Sequence, residues 1–184
     1  MEKSYLSSII KQFEYYKSLG DKTLSQLTFE NIQWQSNEDS NSIAIMVKHI
    51  AGNMLSRWTN FLTQDGEKEW RHRDDEFIDS FKSNEDLIAI WESGWACLFN
   101  AIKPLQNVDL ERIIYIRNQG HTVTEAINRQ LAHYSYHIGQ MVFLGKLIKG
   151  DQWQSLSIPK GDSSKYNQGK FAKEKEIRHF TDDL

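Results

Sequence analysis

Proline is the residue that a helix interior holds worst, and its placement constrains this chain more than any other feature. The 184 residues contain two, Pro104 and Pro159, so residues 1–103 are free to form long helices. Four stretches carry the three-and-four spacing of a helix with one apolar side. The first runs from about residue 3 to 27, with Leu6, Ile9, Ile10, Phe13, Tyr16, Leu24 and Leu27 on one side and Gly20 as a weak point within it. The second, 41–64, repeats Ile43, Val47, Ile50, Met54, Trp58 and Phe61. The third, 84–103, carries Leu87, Ile90, Trp91, Trp95, Leu98 and Ile102 and stops at Pro104. The fourth, 122–149, carries Ile127, Leu131, Tyr134, Ile138, Met141 and Ile148 and ends at Gly150. Asn41, Asn84 and Thr122 stand where N-caps belong, and Glu85 and Asp86 supply an acidic first turn.

The connections set the order of the helices. Residues 65–82 are densely charged, with Asp65, Glu67, Lys68, Glu69, Arg71, Arg73, Asp74, Asp75 and Glu76. A crossover of ~18 residues, at ~3.3 Å each, is long enough to return along the ~36 Å of a 24-residue helix. Helices two and three are then parallel. Between Pro104 and Thr122, the β-branched run Arg112–Ile116 and the glycine-containing segment Arg117–Gly120 predict a short hairpin. The tail, 151–184, holds a turn around Pro159 and Gly161 and a short charged helix expected from Phe171 to Phe180. The fold class is all-α. The simplest assembly is a single-domain four-helix bundle over 1–184 with one long crossover.

Charge and composition remove several function classes. A net charge of −3 provides no basic field for nucleic acid or an anionic membrane. No apolar run approaches the ~20 residues of a membrane span. The segment Met1–Tyr5 lacks the pattern of a signal peptide. One cysteine, Cys97, permits no disulfide within the chain, and it reads as a buried apolar residue among Trp95, Leu98 and Phe99 rather than a nucleophile. The expected setting is cytoplasmic and reducing.

Two helices carry polar residues where a surface helix would carry charges. Across 41–64 only Lys48 and Arg57 are charged, while Ser42, His49, Asn53, Ser56 and Asn60 form a neutral stripe beside the apolar one. The fourth helix repeats this with Gln130, His133, His137 and Gln140. Its remaining side carries the small Ala132, Ser135 and Gly139 beside Tyr136 and Phe143, a surface that predicts contact with a second subunit or with the tail.

His133 and His137 lie one turn apart, the spacing at which two imidazoles reach one metal ion. Six histidines in 184 residues give roughly 0.2 such pairs by chance. On spacing alone, two hydrogen-bonded or surface imidazoles remain a competing reading. A third ligand must come from another element, and His49 on its neutral stripe is the best candidate. His72 in the crossover and His179 in the tail read as solvated, and His121 lies ~18 Å along the helix axis from His133. Tyr134, Ser135 and Tyr136 between the pair exclude the zinc-protease pattern, and no Glu-x-x-His pair supports a di-iron bundle. The charge run 65–76 reads as a solvated connector in which Arg71 and Arg73 pair with its own acids.

Several separate segments, in order, carry a resemblance to a known superfamily. Ser42-Ile43-Ala44 through Val47-Lys48-His49-Ile50-Ala51-Gly52-Asn53-Met54 and Arg57-Trp58 resemble the second-helix motif of the DinB/YfiT-like helical bundles. Asp65–Arg71, Arg73–Phe77, Ala126–Gln140 and Ser155–Gly161 are similar to a bacterial branch of unknown function within it, and the likeness covers about residues 3–168. The resemblance implies a four-helix bundle of up-down-down-up order. It also implies a divalent metal, nickel or zinc, held by His49, His133 and His137, and a homodimer. Relatives include S-transferases that use a low-molecular-weight thiol such as bacillithiol and mycothiol-dependent isomerases. The function it implies is metal-dependent addition of a small thiol to an electrophilic small-molecule substrate, with Asn53, Arg57 and Gln140 placed to orient that substrate. A non-catalytic metal-binding stress-response or interaction protein and a metal-dependent hydrolase are the alternatives. The sequence offers no obvious general base for the hydrolase.

Overall fold

The computed structural model describes residues 5–182, and it is mostly helical. The helices are α1 (Tyr5–Leu24), α2 (Phe29–Gln33), α3 (Ile43–Trp58), α4 (Asn84–Ile102), α5 (Val123–Lys149) and α6 (Ser163–Phe171). A single antiparallel hairpin, β1 (Ile113–Ile116) with β2 (Gln119–Thr122), precedes α5. No helix among the described residues is long and apolar enough to cross a membrane.

Hydroxyl caps fix where the helices start. The Ser42 and Ser83 hydroxyls accept from the amides of Ile45 and Asp86 at 3.1 and 3.2 Å. The caps are therefore these serines, not the neighbouring Asn41 and Asn84. Thr122 caps α5 as expected, and Glu125 returns a bond to the Thr122 amide, closing a capping box. α3 stops at Trp58, short of residue 64, because Asn60 adopts a left-handed φ of 49°. α1 likewise ends at Leu24, and the short α2, capped by Thr28, follows a turn. Gly20 does not interrupt α1. It lets α1 approach α4, since a Cβ there would lie 2.5 Å from the Trp91 ring.

The four long helices share one core. Leu6, Ile9 and Phe13 of α1, Val47, Ile50 and Met54 of α3, Trp91, Trp95 and Leu98 of α4, and Ile127, Tyr134, Ile138 and Met141 of α5 are all buried in it. Contacts advance together along α3 and α4, from Ala51 against Gly94 to Met54 and Thr59 against Cys97. They advance together along α1 and α5 as well, from Tyr5 with Asn128 through Phe13 with Tyr134 to Thr23 beside Gly145. Along α1 and α4 they run in opposite senses, with Glu14 bonding Lys103 and Asp21 bonding Trp91.

The crossover runs back beside α3. The carbonyl of Gly66 accepts from Arg57 near the end of α3. Farther on, the ammonium of Lys48, one turn into α3, donates to Ser80 and to the carbonyl of Ile78. The hairpin turn is Arg117-Asn118, both left-handed at φ 56° and 60°, the two-residue turn that suits the twist of paired strands. Gly120 lies in β2 instead of in that turn. The tail helix is α6, earlier than the expected 171–180. Beyond it the chain returns to α1, where His179 bonds Ser8 at 3.0 Å and Asp182 pairs with Lys11. His179 is thus partly buried and partnered, not solvated.

Candidate metal centre

His49 projects from α3 and His133 and His137 from α5, and the three rings meet where the two neutral stripes face each other. The Nε2 atom of His133 lies 3.3 Å from that of His49 and 3.1 Å from that of His137. One ligand nitrogen from each residue falls within 4.8 Å of the others, and among the described residues this is the cluster able to hold an ion. His72 and His121 stand outside it.

The other nitrogen of each ring is held by an oxygen. His49 Nδ1 donates to Glu76 Oε2 at 2.9 Å, His137 Nδ1 to Gln140 Oε1 at 3.1 Å, and His133 Nδ1 to Gln130 Oε1 at 3.4 Å. An acceptor at Nδ1 keeps the proton there and leaves Nε2 as a lone pair. Three such lone pairs pointing inward repel one another unless a cation lies among them. The two distances from His133 also suit an ion: nitrogens ~2.1 Å from one metal are ~3.0–3.4 Å apart in octahedral or tetrahedral coordination. Burial, with the neighbouring rings of His137 and His49 and the charges of Arg57 and Arg71, pushes His133 down to about 3. Burial and His49 lower His137 as well. His133 and His137 are therefore ready to bind a metal at neutral pH without first shedding protons.

Glu76 was not singled out among the crossover acids, and it is central here. It sits in a 3₁₀ turn, Arg73–Phe77, packed on α3. Its Oε1 accepts from Arg71 Nε at 2.8 Å, and its Oε2 from Arg71 Nη2 at 2.9 Å as well as from His49. Burial pushes the Glu76 carboxyl up, but the bonds from His49 and Arg71 outweigh it and hold the group below the usual range. A connector read as solvated thus contains a buried carboxylate, and the Arg71 side chain is only 2% exposed. No spacing rule marks Glu76 among so many neighbouring acids. The only signal is general: a metal-binding histidine wants a carboxylate or carbonyl behind it.

Asn53 and Arg57 line a pocket of about 280 Å³ that opens beside His49 and His133. The Asn53 Oδ1 accepts from the buried Tyr134 hydroxyl at 3.0 Å, which itself accepts from Trp58 Nε1 at 3.1 Å. Gln140 lies away from this pocket and is engaged with His137. Arg71, Arg73, Arg117 and Arg129 complete the walls, and sequence reading missed them as site residues. Arg117 arrives from the hairpin turn, whose two amides donate to Asp65 at 2.8 Å each. Gly66 permits that approach: its amide donates to the carbonyl of Tyr115, and a Cβ on it would lie 3.0 Å from Ile116. Cys97 is half-buried and lies beside Thr59 in a separate cleft, with no part in the centre. A larger groove along the tail, between Ile158, Pro159 and Tyr166, contains none of the candidate site residues.

Residues 1–162 match the family described as Protein of unknown function (DUF1572). No curated protein and no solved structure matches the chain.

Proposed function

The chain belongs to the DUF1572 family, and from its histidine centre we propose that it is a divalent-metal-dependent enzyme adding a small thiol to an electrophilic substrate. The observation that carries the metal is the convergence of three Nε2 atoms whose Nδ1 partners are all oxygen acceptors. Three imidazoles leave coordination positions open, as in catalytic rather than structural sites. When bound, nickel or zinc would acidify a small thiol such as bacillithiol and keep it as the thiolate nucleophile.

The chain's own residues supply the rest. Glu76, Gln130 and Gln140 fix the three rings, while Asn53 and Arg57 face the open side where a substrate would be oriented. The DinB-like bundle of up-down-down-up order belongs to this reading, supported by the parallel contacts of α3 with α4 and of α1 with α5. So does the cytoplasm, where small thiols stay reduced. A homodimer is supported by one face of α5, on which Ala132, Tyr136, Gly139, Phe143 and Leu147 are exposed in a stripe. Two copies of that stripe bury large rings against small residues. Among the alternatives, the hydrolase is disfavoured because Glu76, the carboxylate at the centre, is committed to His49 and Arg71.

The test is elemental analysis of the purified protein followed by thiol consumption with a generic electrophile such as a chlorinated aromatic. One equivalent of nickel or zinc and metal-dependent loss of thiol are expected. Metal without consumption of any common bacterial thiol would leave the metal-binding protein and reject the transferase. Light scattering gives the oligomer: a particle near the 21.6 kDa chain mass rejects the dimer.

A further inference from the structure

Five arginines, Arg57, Arg71, Arg73, Arg117 and Arg129, line the pocket beside the histidines, and no carboxylate is among its lining residues. They come from α3, from the start of the turn that carries Glu76 and the crossover just before it, from the hairpin and from α5, so the convergence is a product of the fold. Two carboxylates lie behind this wall. Glu76 takes Arg71, and Glu67 is shared by Arg57 at 3.2 Å, Arg117 at 2.9 Å and Arg71 at 3.6 Å. Arg73 stacks on Phe77 with the exposed Asp74 carboxylate 3.9 Å away. Arg129 meets the His121 ring at 3.4 Å, and no described carboxylate pairs with it.

A cluster with more guanidinium than carboxylate charge costs Coulomb energy unless something neutralises it. Arg57 is 7% exposed, and its Nε is buried with no hydrogen-bond partner, although its other nitrogens bond Ser56, Gly66 and Glu67. A buried, unpaired donor on a charged fork is expensive to maintain in an empty pocket. Guanidinium forks match the paired oxygens of carboxylates and phosphates. The turn that carries Arg117 is itself held in a left-handed conformation by Asp65, which aims this arginine at the pocket.

We infer that this arginine pocket seats a carboxylate or phosphate group of the substrate, so that the protein acts on small anionic molecules. The inference rests on the metal reading for what happens next to the anion, but the pocket binds the anion on its own account. A volume of about 280 Å³ is enough for the anionic group of a small metabolite. His49 and His133 line the same pocket, so a molecule seated on the arginines lies beside the histidine centre.

Calorimetric titration of the full-length protein with succinate and, separately, with inorganic phosphate tests this. Saturable one-to-one binding of either anion is expected, weakening with added salt, and the tighter of the two identifies the headgroup. Arg117→Gln combined with Arg129→Gln, both exposed positions, should weaken that binding about tenfold or more with the circular dichroism spectrum unchanged. His137→Ala, which removes a metal ligand outside the pocket, should retain it. Anion binding that persists in His137→Ala therefore upholds the pocket even if the wild-type protein carries no metal. Absence of binding by both anions at millimolar concentration overturns the inference. So does binding that the double arginine variant leaves unchanged or that His137→Ala abolishes, since the anion then sits on the metal rather than on the arginines.

Discussion

The crossover and the C-terminal tail are the two densely charged segments of this chain, and the fold treats them in opposite ways. In the crossover Lys68 and Glu76 are buried, and the Arg71 side chain is as enclosed as a core residue. In the tail no residue from 151 to 182 is buried, and its charges pair at the surface, as Arg178 does with Glu176. Charge density therefore does not decide burial. What differs is the surface each segment meets. The crossover must travel back along α3, whose stripe of His49, Asn53, Ser56 and Arg57 gives buried charges something to bond. The tail leaves the end of α5, sets Trp153 against Gly145 and bonds Gln26, and then reaches the outer side of α1 through Ser8, Lys11 and Tyr15.

The largest effect expected is on the metal. His137→Ala should abolish stoichiometric nickel or zinc binding while the protein stays folded, since two imidazoles hold a divalent ion weakly and the core of four helices does not use the ion for burial. Equilibrium dialysis with elemental analysis reads this directly, and retention of one tightly held equivalent would remove His137 from the centre. His72→Ala, in the exposed part of the crossover, is the control and should change nothing.

Next comes a direct contest between the two segments. Glu76→Ala strips the partner from buried Arg71 and from His49 Nδ1. The expected loss is about 3 kcal/mol in denaturant unfolding, at the low end for a broken buried pair because Glu67 remains 3.6 Å from Arg71. Metal affinity should fall about 10–100-fold. Glu176→Ala in the tail should alter neither quantity beyond error. Equal effects from the two substitutions would erase the distinction drawn between the segments.

A smaller effect follows from pH. His133, pushed down to about 3, and the lowered His137 stay neutral in the fold at pH values where the unfolded chain takes up protons near 6.5. The unfolded state binds more protons in that window, so metal-free protein should lose stability steadily as pH falls from about 6.5 toward 3. Metal should be held until these rings take up protons in the fold, well below pH 6.5, because ligation requires the neutral rings. Thermal melts in the presence of a chelator between pH 8 and 4 measure the first effect, and a flat profile would contradict the burial of the two rings. The smallest effect belongs to the tail's contact with α1. Asp182→Asn removes the exposed pair with Lys11 and should leave metal affinity unchanged and the melting temperature nearly so.

Much of the centre was legible because helices impose their own geometry. His133 and His137 are one turn apart wherever α5 lies, and the uncharged stripe of α3 can only be buried or line a cleft. The same arithmetic gave the four long helices, and the N-cap at Thr122 was legible as well. Helix ends were less legible. The stop at Trp58 depends on Asn60 entering a left-handed conformation, which many sequences around an asparagine would not do. Gly20 looked like a defect because a helix read alone gives no sign of the Trp91 ring pressed against that position.

The sequence by itself determined the helical periods, the cap at Thr122, and which histidines share a face, since all of these depend on neighbours within a few residues. Only the tertiary structure decided that Glu76, of all the acids in the crossover, would back His49, and that arginines from four separate elements would close around one pocket. The reason is that a folded chain sets such pairings by the path of its connections across a helix face. Composition and spacing along the sequence leave that path open, whereas burial and the hydrogen bonds it demands fix it.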